Sequence, residues 1–508
     1  MMLGYDSYDD LIANFTWDEA WQYVDGTPEH VNATHECLDR HPSEKTALSI
    51  ATDDGERTEY TFGQSSDSAA QFAQYLDDTG VEQGDRVAIM LNPSFEFVAA
   101  FFGAMKAGAV AVPCSELFGP EALQYRVDAA EPAVLVTSSS VVDDINTGAV
   151  DTVLNREEFV ETIDAYPSTY ESNTDSEDDA WLQFTSGTTG TPTAVPFQHG
   201  AIVRFAPVMD FVLNFQDDDV CFTTSSTGWG TGIWIGLFAP LLTGVQTGYY
   251  AGRFEPELVL KAVKKFDVNV LLGIVPTAYR KLIDAMSEDG PTVDKANYVG
   301  EPIDAGLSKN IEATFGAFPR SAYGATEIRS IITADYGFSD YEFRHGSMGK
   351  PLPGQEVTIV DDDGEKLPPG EVGTIAVRRK DEWIHSSDAG YRDVDGYLWS
   401  AGRVDDTIIS AGYTIGPQEV EDSIRSHPDV ADVGVIGVTN EERGEIVKAF
   451  VEPVRDPEED FTEQLQLYVR EHLSKHEYPR EIELVDDVPT TPDGKIQRAK
   501  LREREGLA

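Results

Sequence analysis

The sequence predicts an α/β protein: a large N-terminal domain of parallel α/β sheets with a β-rich subdomain, then a small mobile α+β domain. Three observations point that way. Short β-branched runs alternate with helical patterns along much of the chain, the rhythm of parallel sheets covered by helices. From about residue 345 the texture turns β-rich, with turns at Pro353-Gly354, Asp363-Gly364 and Pro369-Gly370. Beyond Arg403-Val404-Asp405-Asp406 the remaining chain has strands and helices of its own. At 508 residues one core is not enough, and the expected division is 1–404 and 405–508.

In chain order, residues 1–45 read as a helical lead-in. Val87–Leu91 is strand-like, Phe95–Ala107 helical, and Val110–Val112 and Ala133–Val136 strand-like again. Residues 171–179 form a polar linker. After it come the short apolar strand Trp181–Phe184, a small-residue loop, and a helix expected to begin near Gln198. Val268–Leu272 reads as a strand, Pro276–Met286 as a helix, and Arg320–Tyr323 as a strand ending at Gly324. In the last segment Val433–Val438 and Ala449–Val451 are strand-like.

Acidic residues number 90 against 38 basic, a net charge of −52 spread along the whole chain. Such a surface excludes nucleic acid and anionic membranes as partners. With 41% hydrophobic residues the chain is not a disordered acidic protein. Dense, evenly spread carboxylates suit a protein adapted to high salt, where mutual repulsion is screened; an ordinary acidic cytosolic enzyme is the alternative. Cys37, Cys114 and Cys221 lie far apart without metal-ligand spacing, as expected in a reducing cytoplasm. Asp6, Asp9 and Asp10 stand where a signal peptide would be basic. The apolar stretch Phe97–Pro113 is broken by Lys106, so no membrane span is expected.

The loop Thr185-Ser186-Gly187-Thr188-Thr189-Gly190 places hydroxyls and free backbone N–H groups around a space suited to an oxyanion. It is not a Walker A loop, since no Gly-Lys-Ser/Thr ends it; on composition alone a flexible surface loop fits equally. Gly300-Glu301-Pro302 and Tyr323-Gly324-Ala325-Thr326-Glu327 each follow a strand-like run. In a parallel sheet both therefore lie at strand carboxyl ends, where such folds bind ligands.

These stretches, in this order, resemble the signature motifs of the adenylate-forming superfamily, and the resemblance covers nearly the whole chain. It implies that Thr185, Ser186, Gly187, Thr188 and Thr189 hold ATP phosphates, with Gly300, Glu301, Pro302 and Tyr323 around the adenine. Thr326 is implied at the α-phosphate and Glu327 at Mg²⁺, a hard cation that takes carboxylate and phosphate oxygens. Asp388 and, fifteen residues on, Arg403 correspond to the ribose-binding pair. Asp405 falls where the family has its hinge. Lys495, at the tip of Asp493-Gly494, matches the catalytic lysine, which neutralises charge as carboxylate and α-phosphate react. Gly412 matches a residue lining the coenzyme A channel, although an ordinary turn glycine is an equal alternative.

The acyl pocket is less defined. Trp229, in Thr227-Gly228-Trp229-Gly230, should begin a helix beside the site and is either core or pocket. Gly324 replaces the tryptophan that closes the pocket in acetyl-CoA synthetases, which leaves it open to larger acids. Asp388–Glu421 and Tyr478–Glu483 look most similar to medium-chain acyl-CoA synthetases. Two family cations are replaced, by Thr193 and Thr414. The implied function is an ATP-dependent carboxylate–CoA ligase forming acyl-AMP, then acyl-CoA, with Mg²⁺, ATP and coenzyme A, on a medium-chain or aryl acid. The alternatives are adenylation with a non-CoA acceptor such as a carrier protein, and a non-catalytic nucleotide- or acyl-binding protein.

Overall fold

Continuous apolar runs without alternation become strands buried on both faces. Val110–Cys114 and Val134–Thr137 are buried at every residue, and Arg86–Met90 at all but its first. In this computed structural model, which describes residues 4–507 apart from 53–56, 117, 119, 143–144, 149, 186–192, 206–207, 253, 326–327, 329, 332, 335–337, 339, 362, 380–381, 407, 411–412, 441–443, 459, 473–477 and 491–495, these strands share a 6-stranded sheet. Its order is Thr152–Asn155, Val134–Thr137, Arg86–Met90, Val110–Cys114, Asp179–Thr185, Thr193–Gln198, parallel up to the last strand, which pairs antiparallel.

Phe95–Lys106 is a helix whose Ser94 side chain caps it by accepting from the Phe97 N–H. It packs on the helix Phe62–Asp78 at Gly103, where a Cβ would lie 2.8 Å from the Ala69 carbonyl and 2.9 Å from the Phe72 ring, so that only glycine allows this approach. Lys106, which interrupts the apolar stretch, is buried and ion-paired with Asp39. The 7-stranded sheet runs Pro319–Ser321, Lys295–Tyr298, Val270–Ile274, Cys221–Thr223, Thr247–Ala251, Thr46–Thr52, Arg57–Thr61, again parallel except for its last member.

The β-rich region is a 4-stranded antiparallel sheet of Val357–Val360, Gly373–Arg379, Glu382–Arg392 and Leu398–Arg403. Its expected turns hold Gly354, Gly364 and Gly370 at φ of 68°, 81° and 90°, the left-handed region that favours glycine. Past residue 406 a 5-stranded sheet carries the helices Pro417–Arg425, Phe461–His472 and Arg498–Arg504. Its core, including Ile408, Val420, Val433, Ala449 and Leu465, draws only on this segment among the described residues.

Three expectations change. The chain after the small-residue loop is not yet helical: Thr193–Gln198 is an edge strand, followed by a 3₁₀ segment, His199–Phe205. Pro196 is tolerated there because an edge strand has one neighbour only. The lead-in is helical only in short pieces, Tyr8–Asn14 and Trp17–Ala20, with tighter and wider turns between the two and the first sheet. The polar stretch at 171–179 is tied down, for Thr174 Oγ1 donates to the Val31 carbonyl (2.9 Å) and Ser176 Oγ to that of Thr27 (3.0 Å). No helix among the described residues is long and apolar enough to cross a membrane.

Candidate active site

Two neighbouring strands of the 7-stranded sheet deliver the expected adenine residues side by side. Lys295–Tyr298 and Pro319–Ser321 run parallel with Tyr298 opposite Ser321, and the Ala322 N–H extends the pairing to the Tyr298 carbonyl (3.1 Å). Gly300-Glu301-Pro302 leaves the first strand and Tyr323 the second, both at carboxyl ends. Gly300 has φ of 82°, which lets the chain turn sharply out of the sheet.

The ribose pair comes from the 4-stranded sheet. Asp388 and Arg403 are directly opposed in the antiparallel pair Glu382–Arg392 and Leu398–Arg403, a placement that puts Cβ atoms about 5 Å apart. A register shift follows at Ala389/Gly390, and irregularities of this kind re-aim side chains next to sites. Ser386 Oγ accepts from the Asp388 N–H (3.1 Å), holding the backbone of the aspartate. The Tyr323 hydroxyl donates to Asp388 Oδ2 at 2.8 Å, so the two sheets meet through two residues expected at the same nucleotide. Tyr323 and Asp388 are half-buried and Arg403 is exposed.

The expected phosphate loop spans a hairpin. Thr185 ends one strand and Thr193 begins the next, and the two are register partners at its base. Ser186, Gly187, Thr188 and Thr189 lie outside the described residues, as do Thr326 and Glu327, Gly412 and Lys495. Segments around the last two are held at their bases. Ser410 pairs with Tyr413 across Gly412, and Thr490 bridges Ile496 around Lys495. Thr414 is opposite Ile409. Asp405 lies in the single turn Val404–Asp406, between the last strand of the β-rich sheet and the first strand of the small segment.

Trp229 precedes the helix Gly230–Ile233 as expected, and its 39% exposure rules out the core reading. Its ring lies 4.9 Å from that of Phe118. Gly228 fits tightly there: a Cβ would come within 2.5 Å of the Ser115 N. Gly324, exposed, begins a short strand directly after Tyr323.

Sequence reasoning missed a polar wall behind Trp229. Gln183, buried two residues before Thr185, donates to the Gly228 carbonyl (3.1 Å), while its Oε1 has no partner among the described residues. The buried Thr227 Oγ1 and Glu116 Oε1 likewise have no partner among the described residues. Arg126 is buried with its guanidinium over the Phe118 ring (3.9 Å) and donates to the Ala122 carbonyl (2.7 Å); burial pushes its pKa down. A glutamine inside Trp181-Leu182-Gln183-Phe184 was the available signal. Nothing in the sequence distinguished Arg126 from a surface arginine.

Arg280 lies 3.7 Å from Asp304, close after Gly300-Glu301-Pro302. Its burial lowers its pKa, and it responds to Arg425, Asp304, Asp422 and Glu301. Taken together, Tyr323, Asp388 and Arg403 bring an aromatic ring, a carboxylate and an arginine to neighbouring strand ends, residue types that can stack on a base and hydrogen-bond a sugar.

Comparison with known proteins agrees with that chemistry. The chain is 32% identical to acetyl-coenzyme A synthetase of Bacillus subtilis, over 98% of this chain and 94% of that protein. It is 29% identical to the mitochondrial acyl-coenzyme A synthetase ACSM3 of Mus musculus, covering 94% and 91%. The crystal structure of the anthranilate CoA ligase AuaEII in complex with anthranoyl-AMP superposes with a TM-score of 0.84 at 27% identity, covering 94% of this chain and 98% of that one. Residues 34–381 match the AMP-binding enzyme family and residues 419–495 its C-terminal domain, and the chain therefore belongs to the AMP-binding enzyme family.

Proposed function

We propose that this protein is an AMP-forming acid–thiol ligase that joins a carboxylic acid to coenzyme A at the expense of ATP. The observation that carries the reading is the meeting of Tyr323, Asp388 and Arg403 beside Gly300-Glu301-Pro302. In the first step the carboxylate attacks the α-phosphorus of ATP, releasing pyrophosphate and leaving acyl-AMP. In the second the thiol of coenzyme A attacks the acyl carbon and AMP departs. Two transfers replace one uphill condensation, and the protein contributes positioning and charge neutralisation.

Residue roles follow the family. Thr185 to Thr189 hold phosphates, Thr326 the α-phosphate, and Lys495 the reacting oxygens. The small domain, 405–508, turns about Asp405 to withdraw Lys495 and admit the thiol along Gly412. Glu327 is the proposed Mg²⁺ residue. Its single carboxylate together with ATP oxygens is a donor set that suits this ion, and no cluster of His, Cys, Asp or Glu able to enclose a metal occurs among the described residues. Mg²⁺ would neutralise the phosphates as pyrophosphate leaves.

The acid is medium-chain or aryl. Gly324 supports this reading, and the structural neighbour bound to anthranoyl-AMP accommodates an aryl group; the acetyl-coenzyme A synthetase relative favours a smaller acid. The net charge of −52 supports a cytoplasm at high salt. Pyrophosphate release on a panel of acids from acetate to octanoate and benzoate tests the reading. Each buried methylene adds about 0.8 kcal/mol, roughly fourfold, so efficiency should rise beyond acetate and fall once the pocket is full. Gly324→Trp should spare acetate and remove the longer acids. A wild type that prefers acetate rejects the substrate class, and one that releases pyrophosphate with no acid rejects the ligase.

A further inference from the structure

The turn Val404–Asp406 is anchored unequally on its two sides. On the upstream side Arg403 is fixed by pairing with Asp388 in the β-rich sheet. Downstream, Asp406 is buried and takes two arginines, Arg498 Nη1 at 3.2 Å and Arg502 Nη2 at 2.8 Å. Arg498 also grips the fully buried Glu421 with Nη2 at 2.8 and 2.6 Å and donates to the Val435 carbonyl at 3.2 Å. Glu421 Oε1 accepts from the Val435 N–H at 2.8 Å. Asp406 is thus tied to the helix Arg498–Arg504 and, through Arg498, to the helix Pro417–Arg425 and the strand Val430–Asn440.

The same arginine helix begins three residues after Lys495. The base of that loop is closed by the Thr490–Ile496 bridge, by the Gln497 N–H donating to the Pro489 carbonyl (2.8 Å), and by Gln497 Nε2 donating to the Thr490 carbonyl (2.6 Å). The network therefore joins the turn Val404–Asp406 to the helix that follows the closed base of the lysine loop in sequence.

We propose that Asp406, Arg498 and Arg502 are positioning residues that form a rigid arm between the hinge and Lys495, confining rotation to Val404 and Asp405. The inference rests on the two-step reading above and goes beyond it by saying what transmits the rotation. Buried ion networks are poor sources of net stability, but they hold geometry well, because every partner is costly to leave unpaired. Lys495 must meet a developing charge, where misplacement by about 1 Å costs on the order of 10²-fold. The second half-reaction, with Lys495 withdrawn, does not use the arm in this way.

The test measures the half-reactions separately in molar KCl: acyl-AMP formation from ATP and acid, and thioester formation from supplied acyl-AMP and coenzyme A. Arg502→Gln, at the outer and more solvated end of the network, and Asp406→Asn, which keeps its shape, should each slow the first about 10- to 100-fold and the second less than about threefold. Arg502→Lys should recover most of the loss, and adding Arg502→Gln to Asp406→Asn should cost less than the two single losses combined, since Asp406→Asn already weakens the contact that Arg502 makes. Equal loss of both half-reactions, or no loss in either, overturns the arm. Lys495→Ala, measured alongside, separates the two ideas. If it does not lose the first half-reaction selectively, the two-step reading itself fails. If it does while Arg502→Gln and Asp406→Asn lose both alike, only the arm is rejected.

Discussion

The Tyr323 hydroxyl donates to Asp388 Oδ2 at 2.8 Å, bridging the end of the 7-stranded parallel sheet and an inner strand of the 4-stranded antiparallel one. In the roles proposed for Tyr323 and Asp388, this bond sets the adenine face and the ribose edge relative to each other before a nucleotide arrives. Tyr323→Phe keeps the ring and loses the donor, and should raise KM for ATP by about 2- to 10-fold, the loss of one hydrogen bond of about 0.5–1.5 kcal/mol. Asp388→Ala should cost more, because it also removes the acceptor for the ribose. Steady-state kinetics with ATP varied decides; an unchanged KM in both variants would place the nucleotide elsewhere.

Thr193 stands opposite Thr185 at the base of the proposed phosphate hairpin, where the resemblance implies a lysine. Restoring the cation with Thr193→Lys should lower KM for ATP several-fold at the lowest salt the fold tolerates. The gain should shrink in molar salt, where the screening length falls to about 3 Å. A gain independent of salt would mean direct contact rather than long-range attraction, and no gain would mean that the phosphates lie away from this position.

The charge of −52 carries its own expectation. Removing salt should unfold the chain through carboxylate repulsion, with the melting temperature climbing steeply between low and molar KCl. Circular dichroism across a salt series measures this, and a melting temperature indifferent to salt would end the high-salt reading.

Asp422, on the helix Pro417–Arg425, accepts from Gln418 Nε2 (2.9 Å) and Arg425 Nη1 (3.2 Å). Burial pushes its carboxyl up to about 7, against the pull of Arg425 and with Asp304 and Glu421 adding to the effect. The unfolded group titrates near 3.8, so the stability contributed by the neutral acid is complete below that pH and is lost as pH rises through about 7. The penalty above pH 7 is on the order of 1–4 kcal/mol. At constant salt, Asp422→Asn should melt with the wild type at pH 4 and several degrees above it at pH 8. An equal difference at both pH values would show that Asp422 is ionised throughout.

Much of the architecture was legible because its strands are buried on both faces. Val110–Cys114 and Val134–Val136 declare themselves as unbroken apolar runs, and the helix Phe95–Lys106 ends within one residue of its expected bound. Thr193–Gln198 was not legible, since an edge strand with a proline and an exposed threonine carries neither unbroken apolarity nor clean alternation. The site divides the same way. Asp388 and Arg403 were expected together from spacing and resemblance, and strand pairing supplies the physical reason. Gln183, Arg126 and the grip of Arg498 and Arg502 on Asp406 depend on burial and on contacts across 92 and 96 positions, which local pattern does not encode.

The central claim is that one polypeptide activates a carboxylic acid as its adenylate and passes the acyl group to coenzyme A. Single-turnover mass spectrometry tests it most directly, with the protein, ATP, Mg²⁺ and an acid from the panel in molar KCl, quenched before and after coenzyme A is added. A two-step ligase yields acyl-AMP and pyrophosphate in amounts matching the enzyme before the addition, and acyl-CoA with AMP after it. ADP and phosphate in their place, or an acyl-AMP that coenzyme A leaves unchanged, would contradict it.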